Sequence, residues 1–208
     1  MLLHIVFLIF HFTGILQQIQ QEEMSSEEIS VFKEYIHNES KSITSVRTDF
    51  TQKKKMDFLE HDIVSKGQML LNDQGFLKWQ YTEPNVYSIV FKNNQIYIND
   101  NGNKSTANVD QRLFKKINTL ISGSIKGNVF NDEEFTYNFF KNESEIIVKM
   151  LTKDKIMKKY IQNIELTFPK NKALVSDVKL IEPSGNYTLI SFNNRKINVD
   201  IDKKEFDL

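Results

Sequence analysis

Residues 67–91 read Gly67-Gln68-Met69-Leu70-Leu71-Asn72-Asp73-Gln74-Gly75-Phe76-Leu77-Lys78-Trp79-Gln80-Tyr81-Thr82-Glu83-Pro84-Asn85-Val86-Tyr87-Ser88-Ile89-Val90-Phe91. Large apolar side chains recur here at every second position. Met69 and Leu71, then Leu77 and Trp79, then Tyr87, Ile89 and Phe91 fall on one side of their segments. Turn formers separate the runs, Asn72-Asp73-Gln74-Gly75 first and Glu83-Pro84 second. Period-two alternation with short turns predicts strands over 63–71, 75–81 and 85–91. Strands joined by connections this short are antiparallel neighbours.

The same pattern extends in both directions. Upstream, Val46, Thr48, Phe50 and Gln52 alternate with Arg47, Asp49 and Thr51. Downstream, strands are predicted over 95–99, 135–141, 145–151, 160–168, 173–181, 186–192 and 196–201. Asn93-Asn94, Asn101-Gly102, Asn142-Glu143-Ser144, Ser184-Gly185 and Asn193-Asn194 are read as the turns. Two stretches follow helical spacing instead. Ser25 and Glu28 have the spacing of a capping box, and Ile29, Phe32, Ile36 and Ile43 recur behind them, so a helix runs from Ser25 to about Ser40–Thr44. Val109, Leu113, Ile117, Leu120 and Ile121 mark a second, which Gly123 would stop. Ten or eleven antiparallel strands in one small domain curl rather than stay flat. A curled sheet encloses a lumen, and two amphipathic helices can cover it. The alternating strand residues then either fill a core or line a container.

Composition narrows the functional classes. The chain has 208 residues, close to one domain, and 40% of them are hydrophobic, enough for a core. Lys plus Arg and Asp plus Glu number 27 each, so there is no basic excess for a nucleic-acid partner. Cysteine is absent, which excludes disulfides, thiolate metal sites, cysteine nucleophiles and cysteine lipid anchors. Residues 2–16 are almost wholly apolar. That is short for a membrane span but fits the apolar region of a signal peptide. Residues 1–21 are therefore read as a signal peptide with no fixed cleavage point, an uncleaved anchor being the alternative. Residues 22–208 form a single exported domain.

Catalytic chemistry is sparse. Outside residues 1–21 the histidines are His37 and His61, which form no metal-binding pair. Ser30-Val31-Phe32-Lys33 and Ser176-Asp177-Val178-Lys179 match S-x-x-K but lack the companion motifs of such enzymes. No Gly-rich phosphate loop is present. Asp132-Glu133-Glu134 reads as a solvated turn. Lys53-Lys54-Lys55 reads as a soluble strand end, or else as a contact for anionic headgroups or an acidic partner. These readings point away from an enzyme and call for no cofactor or metal.

Several of these motifs together resemble a known family. Phe50-Thr51-Gln52 follows an amphipathic helix, Gly67 lies in the next strand, and Phe76-Leu77-Lys78-Trp79-Gln80-Tyr81 precedes Pro84. Gly185-Asn186-Tyr187-Thr188, Phe192, Asn198 and Phe206 complete the pattern. The chain from Ser25 to Phe206 is similar to the LolA family of periplasmic outer-membrane lipoprotein carriers. The resemblance implies a mainly β (α+β) fold, an incomplete antiparallel β-barrel of about eleven strands with a helical lid over an apolar cavity. It implies a periplasmic monomer that carries acylated lipoproteins from an inner-membrane ABC transporter to the outer membrane, where a receptor is a further partner. By the same resemblance Leu77, Trp79 and Phe50 belong to the acyl-binding surface, with Ile89 and Phe91 on the adjoining strand. Ile29, Phe32 and Ile36 with Leu113, Ile117 and Leu120 form the lid's apolar face.

Two departures bear on gating. Some family members have an arginine ahead of the hairpin strand that ties the lid, whereas Asn72-Asp73-Gln74-Gly75 stands here; Arg47 or Lys78 is the substitute expected. The chain also stops at Leu208, without a longer C-terminal segment. Two alternatives remain: a related carrier of another lipid or glycolipid, and an envelope sensor or scaffold that binds proteins.

Overall fold

The computed structural model describes residues 21–106, 123 and 129–208. The expected signal peptide and the second expected helix, with Leu113, Ile117 and Leu120, lie outside these residues. The described elements run in the order β1 (Glu22–Glu23), α1 (Ser26–Ser40), β2 (Ser45–Lys55), β3 (Ile63–Asn72), β4 (Leu77–Glu83), β5 (Tyr87–Lys92), β6 (Gln95–Asp100) and β7 (Asn103–Thr106). They continue with β8 (Phe135–Lys141), β9 (Glu145–Thr152), β10 (Asn163–Pro169), β11 (Asp177–Ile181) and β12 (Tyr187–Ile197). Short 3-10 turns cover Met157–Lys159 and Lys203–Phe206. No described helix is long and apolar enough to cross a membrane.

Helix α1 begins as its sequence dictates. Ser25 Oγ accepts from the Glu28 backbone N–H, and Glu28 Oε2 accepts from the Ser25 N–H, so two orphan donors of the first turn are satisfied reciprocally. All twelve strands form one antiparallel sheet in the order β1-β8-β9-β10-β11-β12-β2-β3-β4-β5-β6-β7. Its two end strands do not pair with each other, so the barrel is incomplete. Strand β2 is the joint, pairing with late strand β12 on one side and early strand β3 on the other.

Directly opposed residues of an antiparallel ladder share a face. One line across the sheet is Phe139, Val148, Leu166, Val178, Ile190 and Gln52. Two residues along, a second line is Phe192, Phe50, Gly67, Tyr81 and Tyr87. These lines lie on what we term the inner face, whose side chains form one continuous core with Phe32 and Ile36 of α1. The outer face carries a small separate cluster of Leu70, Val90 and Phe206.

The turns use backbone that only certain residues accept. Asn93 (φ 51°) with Asn94 (φ 62°), and Asn101 (φ 49°) with Gly102 (φ 94°), close two-residue hairpins that need positive φ at both positions. Asn193-Asn194 does otherwise. The expected turn there is a bulge inside one long strand, with the register shifting between Asn193 and Lys196. Opposite it β2 continues unbroken, so pairing resumes at Arg47↔Lys196, and Asn194 Nδ2 donates to Asp49 Oδ2 at 2.9 Å. The strand expected from Ala173 starts only at Asp177; Ala173, Leu174 and Val175 are buried in the approach to it. Likewise the strand expected from Tyr160 starts at Asn163, behind the Met157–Lys159 turn. Strands β1 and β7 bring the count to twelve, and both were too short and too polar to show periodicity.

Gly67 is required where it stands. A Cβ at this position would lie 2.1 Å from the Gln80 carbonyl oxygen and 2.8 Å from Phe50 Cζ. The Phe50 ring rests on this bare backbone, beside a register shift between Lys66 and Gly67. Gly67→Ala is therefore expected to lower the unfolding free energy by about 2 kcal/mol or more, the usual cost of overpacking against backbone. Urea unfolding measures this, and a loss below about 0.5 kcal/mol would show that Phe50 and Gln80 separate freely.

Candidate functional site

Strands β2 to β5 place the expected strand residues of the site together. Their alternation sends Phe50, Leu77, Trp79, Ile89 and Phe91 to the inner face. Leu77 opposes Phe91 and Trp79 opposes Ile89 across the β4–β5 ladder. The Phe50 ring meets Trp79 edge-on at 4.8 Å and Tyr81 edge-on at 5.0 Å. Phe50, Leu77, Trp79 and Phe91 are buried, while Ile89 is partly so. The ladder reaches further than the sequence reading did. Trp79 also meets Phe192 at 6.0 Å, and Tyr81 stacks on Tyr87 at 4.2 Å. Tyr81 is anchored by a hydroxyl that donates to Gln52 Oε1 at 3.0 Å, and burial pushes that hydroxyl well above the ordinary phenol range. Phe192 and Tyr81 both belong to the family pattern; alternation within β4 sets Tyr81 on the face of Trp79, and only register brings Phe192 there.

Helix α1 packs on the other half of the same face. Phe32 is enclosed by Phe168 at 5.2 Å, Phe130 at 6.1 Å and Phe139 at 6.2 Å. Ile36 is fully buried and Ile29 partly. The α1 residues expected to form a lid thus lie against β8 and β10, while Phe50, Leu77 and Trp79 lie at the β2–β5 end. Phe135, Tyr137 and Phe139, at period-two spacing in β8, add an aromatic row to the same face. Two adjoining grooves run beside α1. One, of about 580 Å³, lies between Val31, Phe32 and Tyr35 of the helix and Ile146 and Pro169 of the β9–β10 pair. The next, of about 520 Å³, continues from Tyr35 and Ile43 to Leu174, Phe192 and Ile197. Both fall in the range of small-ligand sites.

Polar fastenings hold α1 from outside the apolar face. Lys33 Nζ lies 5.5–5.6 Å from the ring centroids of Phe130, Tyr137 and Phe139 and 3.7 Å from Asp132. It couples the helix to β8 by cation–π attraction. Lys141 at the end of β8 donates to Glu28 Oε1 and stands 3.7 Å from Glu22. That hydrogen bond, with the one from the Ser25 N–H, holds the Glu28 carboxyl down at about 2. The expected substitutes for the family arginine do not reach the helix. Arg47 and Lys78 alternate with inner-face residues and so point outward. Arg47 Nη2 donates to both Glu205 carboxylate oxygens at 2.9 Å, and Lys78 Nζ donates to the Glu205 carbonyl at 2.8 Å. With Lys92 on Asp207 and Lys104 on the Leu208 carbonyl, they fasten the C-terminus to the outer face.

The arrangement offers a binding surface. Among the described residues no three His, Cys, Asp or Glu cluster as metal ligands. Neither S-x-x-K lysine serves a serine. Lys33 is held against three rings, and Ser176 Oγ donates to the Thr167 carbonyl. The inner face instead offers aliphatic and aromatic surface, with tyrosines whose hydroxyls burial keeps neutral; that of Tyr137 is pushed up to about 12.

Comparison with known proteins agrees with this fold. The family model described as outer membrane lipoprotein carrier protein LolA matches residues 41–208. An outer-membrane lipoprotein carrier protein of Francisella tularensis subsp. novicida is 30% identical over 174 residues, covering 80% of this chain and 78% of that protein. One of Pseudomonas paraeruginosa is 27% identical over 142 residues, covering 67% of this chain and 65% of that protein. The crystal structure of MucB superposes with a TM-score of 0.53 at 8% identity, covering 88% of this chain and 64% of that one. That last likeness is one of fold.

The Lys141 fastening has a testable titration. Because its pKa is depressed in the folded state, Glu28 stabilises that state above the ordinary carboxylate range and loses the effect as pH falls towards 2. Carbon-detected NMR of the Glu28 carboxyl is expected to show a midpoint near 2. Lys141→Met should return it towards about 4.3. An unchanged midpoint in Lys141→Met would show that the lysine does not hold the helix.

Proposed function

The chain belongs to the LolA family of outer membrane lipoprotein carrier proteins, and on that premise we propose that it ferries acylated lipoproteins across the periplasm, from an inner-membrane ABC transporter to the outer membrane and its receptor. The observation that supports this most is the inner face itself, whose buried apolar side chains form one continuous core from Phe139 through Leu166 and Phe50 to Trp79 and Phe91. An acyl chain of some 14 methylenes costs about 11 kcal/mol to leave in water, at about 0.8 kcal/mol each. Such a cargo crosses an aqueous space only under cover. Phe50, Leu77, Trp79, Ile89 and Phe91 with Phe192 would supply that cover, and Ile29, Phe32 and Ile36 would move with α1 to admit the chains.

Reversibility follows from how α1 is held. Phe32 and Ile36 bury against aliphatic and aromatic side chains, contacts that acyl chains can replace in kind, so the helix is displaced when acyl chains compete for the rings beneath it. Residues 1–21 would export the chain and be removed. No covalent step and no cofactor are needed.

The test is release of labelled lipoproteins from spheroplasts. The exported protein should bring acylated lipoprotein into the soluble fraction as a complex. Ile89→Glu, at an inner-face position that is only partly buried, should keep the fold, seen by circular dichroism, and lose at least tenfold in release, because its carboxylate would be desolvated among alkyl chains. A wild-type protein that binds phospholipid but releases no lipoprotein would overturn the reading in favour of another lipid cargo. Full release by a folded Ile89→Glu would remove Ile89 from the site.

A further inference from the structure

The exposed apolar residues are not scattered. Among the described residues, ten large hydrophobic side chains are exposed, and eight of them sit on the rim where β2 ends and β3 begins. Phe58 (75% exposed) and Leu59 cap the β2–β3 hairpin, Ile63 and Val64 flank them, and Val86 (59%) lies in the neighbouring β4–β5 turn. On the same rim, beyond β11 and β12, Leu151, Ile156 and Tyr160 (56%) are exposed where β9 passes to β10. The opposite rim, with the turns at Gln74 and Asn93, exposes only Ile197 from this group. A single exposed Leu is ordinary; eight on one rim are not.

The charges around the second group set the partner. Residues 153–160 read Lys-Asp-Lys-Ile-Met-Lys-Lys-Tyr, four lysines to one aspartate. The acidic Asp132-Glu133-Glu134 turn on the same rim engages Lys153, whose Nζ donates to the Asp132 carbonyl at 2.6 Å, and Asp132 itself pairs with Lys33, so the outward lysines are Lys155, Lys158 and Lys159. Asp154 Oδ1 is turned inward, accepting from the backbone N–H groups of Ile156 and Met157 at 2.8 and 2.9 Å. Met157 is buried, so it pins a turn that presents Lys155, Lys158 and Lys159 outward beside Ile156 and Tyr160. Lysines around an exposed aliphatic and a tyrosine match an anionic bilayer surface, where ammonium groups meet headgroup phosphates and the apolar tips enter the acyl boundary. The Phe58 tip carries Asp57, Glu60 and Asp62 and can contribute only its apolar side chains. Four strand spacings, about 19 Å, separate the two tips along the rim, so both can touch one flat surface.

We propose that this rim is a membrane-docking surface: the Lys153–Tyr160 turn binds anionic headgroups, and the Phe58–Leu59 tip inserts beside it. This docking does not depend on what the inner face carries. The chain has no cysteine, so Phe58→Cys, Tyr160→Cys and, as control, Gln74→Cys each take a single environment-sensitive nitrobenzoxadiazole label. The labelled proteins are titrated with vesicles of phosphatidylethanolamine and phosphatidylglycerol. Labels at Phe58 and Tyr160 should shift to the blue while the label at Gln74 does not. Lys155→Gln, Lys158→Gln and Lys159→Gln together should weaken vesicle binding at least tenfold, as should raising the salt to about 0.5 M. Silence at Phe58 and Tyr160, or an equal shift at Gln74, would overturn the proposal. So would a response confined to detergent-solubilised membrane protein, which would make the rim a protein-docking surface.

Discussion

The Phe50 ring lying on the bare backbone of Gly67 is the contact on which the rest depends. It sits in β2, the strand that joins the early half of the chain, β3 to β7, to the late half, β8 to β12. From there one ring reaches Trp79 and Tyr81 on the early side, while its register partner Phe192 lies on the late side. A side chain at Gly67 would push Phe50 off the sheet and open the line of rings that unites the halves. The absence of a Cβ at one position thus shapes an aromatic surface spanning five strands, β12 to β5.

Period-two alternation divides labour between the faces of those same strands. Val46, Leu77 and Trp79 point inward; their neighbours Arg47 and Lys78 point outward and grip Glu205. The outer network fastens the C-terminal turn over Leu70, Val90 and Phe206 without placing a charge on the inner face. Burial lowers the pKa of Lys78, and Glu205 and Asp207 beside it offset that loss in part. The inner face is left to dispersion and the hydrophobic effect, which discriminate little among acyl chains. Such a surface suits a carrier whose cargoes share lipids and differ in protein.

Much of this was legible in the sequence, and the failures have physical causes. The capping box at Ser25 and Glu28, the hairpins at Asn93-Asn94 and Asn101-Gly102, and the shared face of Leu77, Trp79 and Phe91 follow from local rules. Asn193-Asn194 misled because the same positive-φ preference serves a turn and a bulge, and only the unbroken β2 opposite decides between them. Arg47 and Lys78 were expected to tie the helix because charge is visible in a sequence and facing is easily overlooked; their alternation with Val46 and Leu77 already placed them outside. The helix fastenings Glu28–Lys141 and Lys33–Asp132 were not legible. They join residues roughly a hundred positions apart, through a pairing between β1, α1 and β8 that no local pattern announces.

The central claim is that the inner face, and not the outer one, receives acyl chains. Photocrosslinking inside the cell tests it most directly, with p-benzoylphenylalanine placed at Ile89 or at Gln80. Ile89 opposes Trp79 on the inner face, whereas Gln80 is exposed on the other side of the same hairpin. Adducts with acylated lipoprotein from position 89 and none from position 80 are the predicted result. Adducts of equal yield from both positions, or from position 80 alone, would contradict the account.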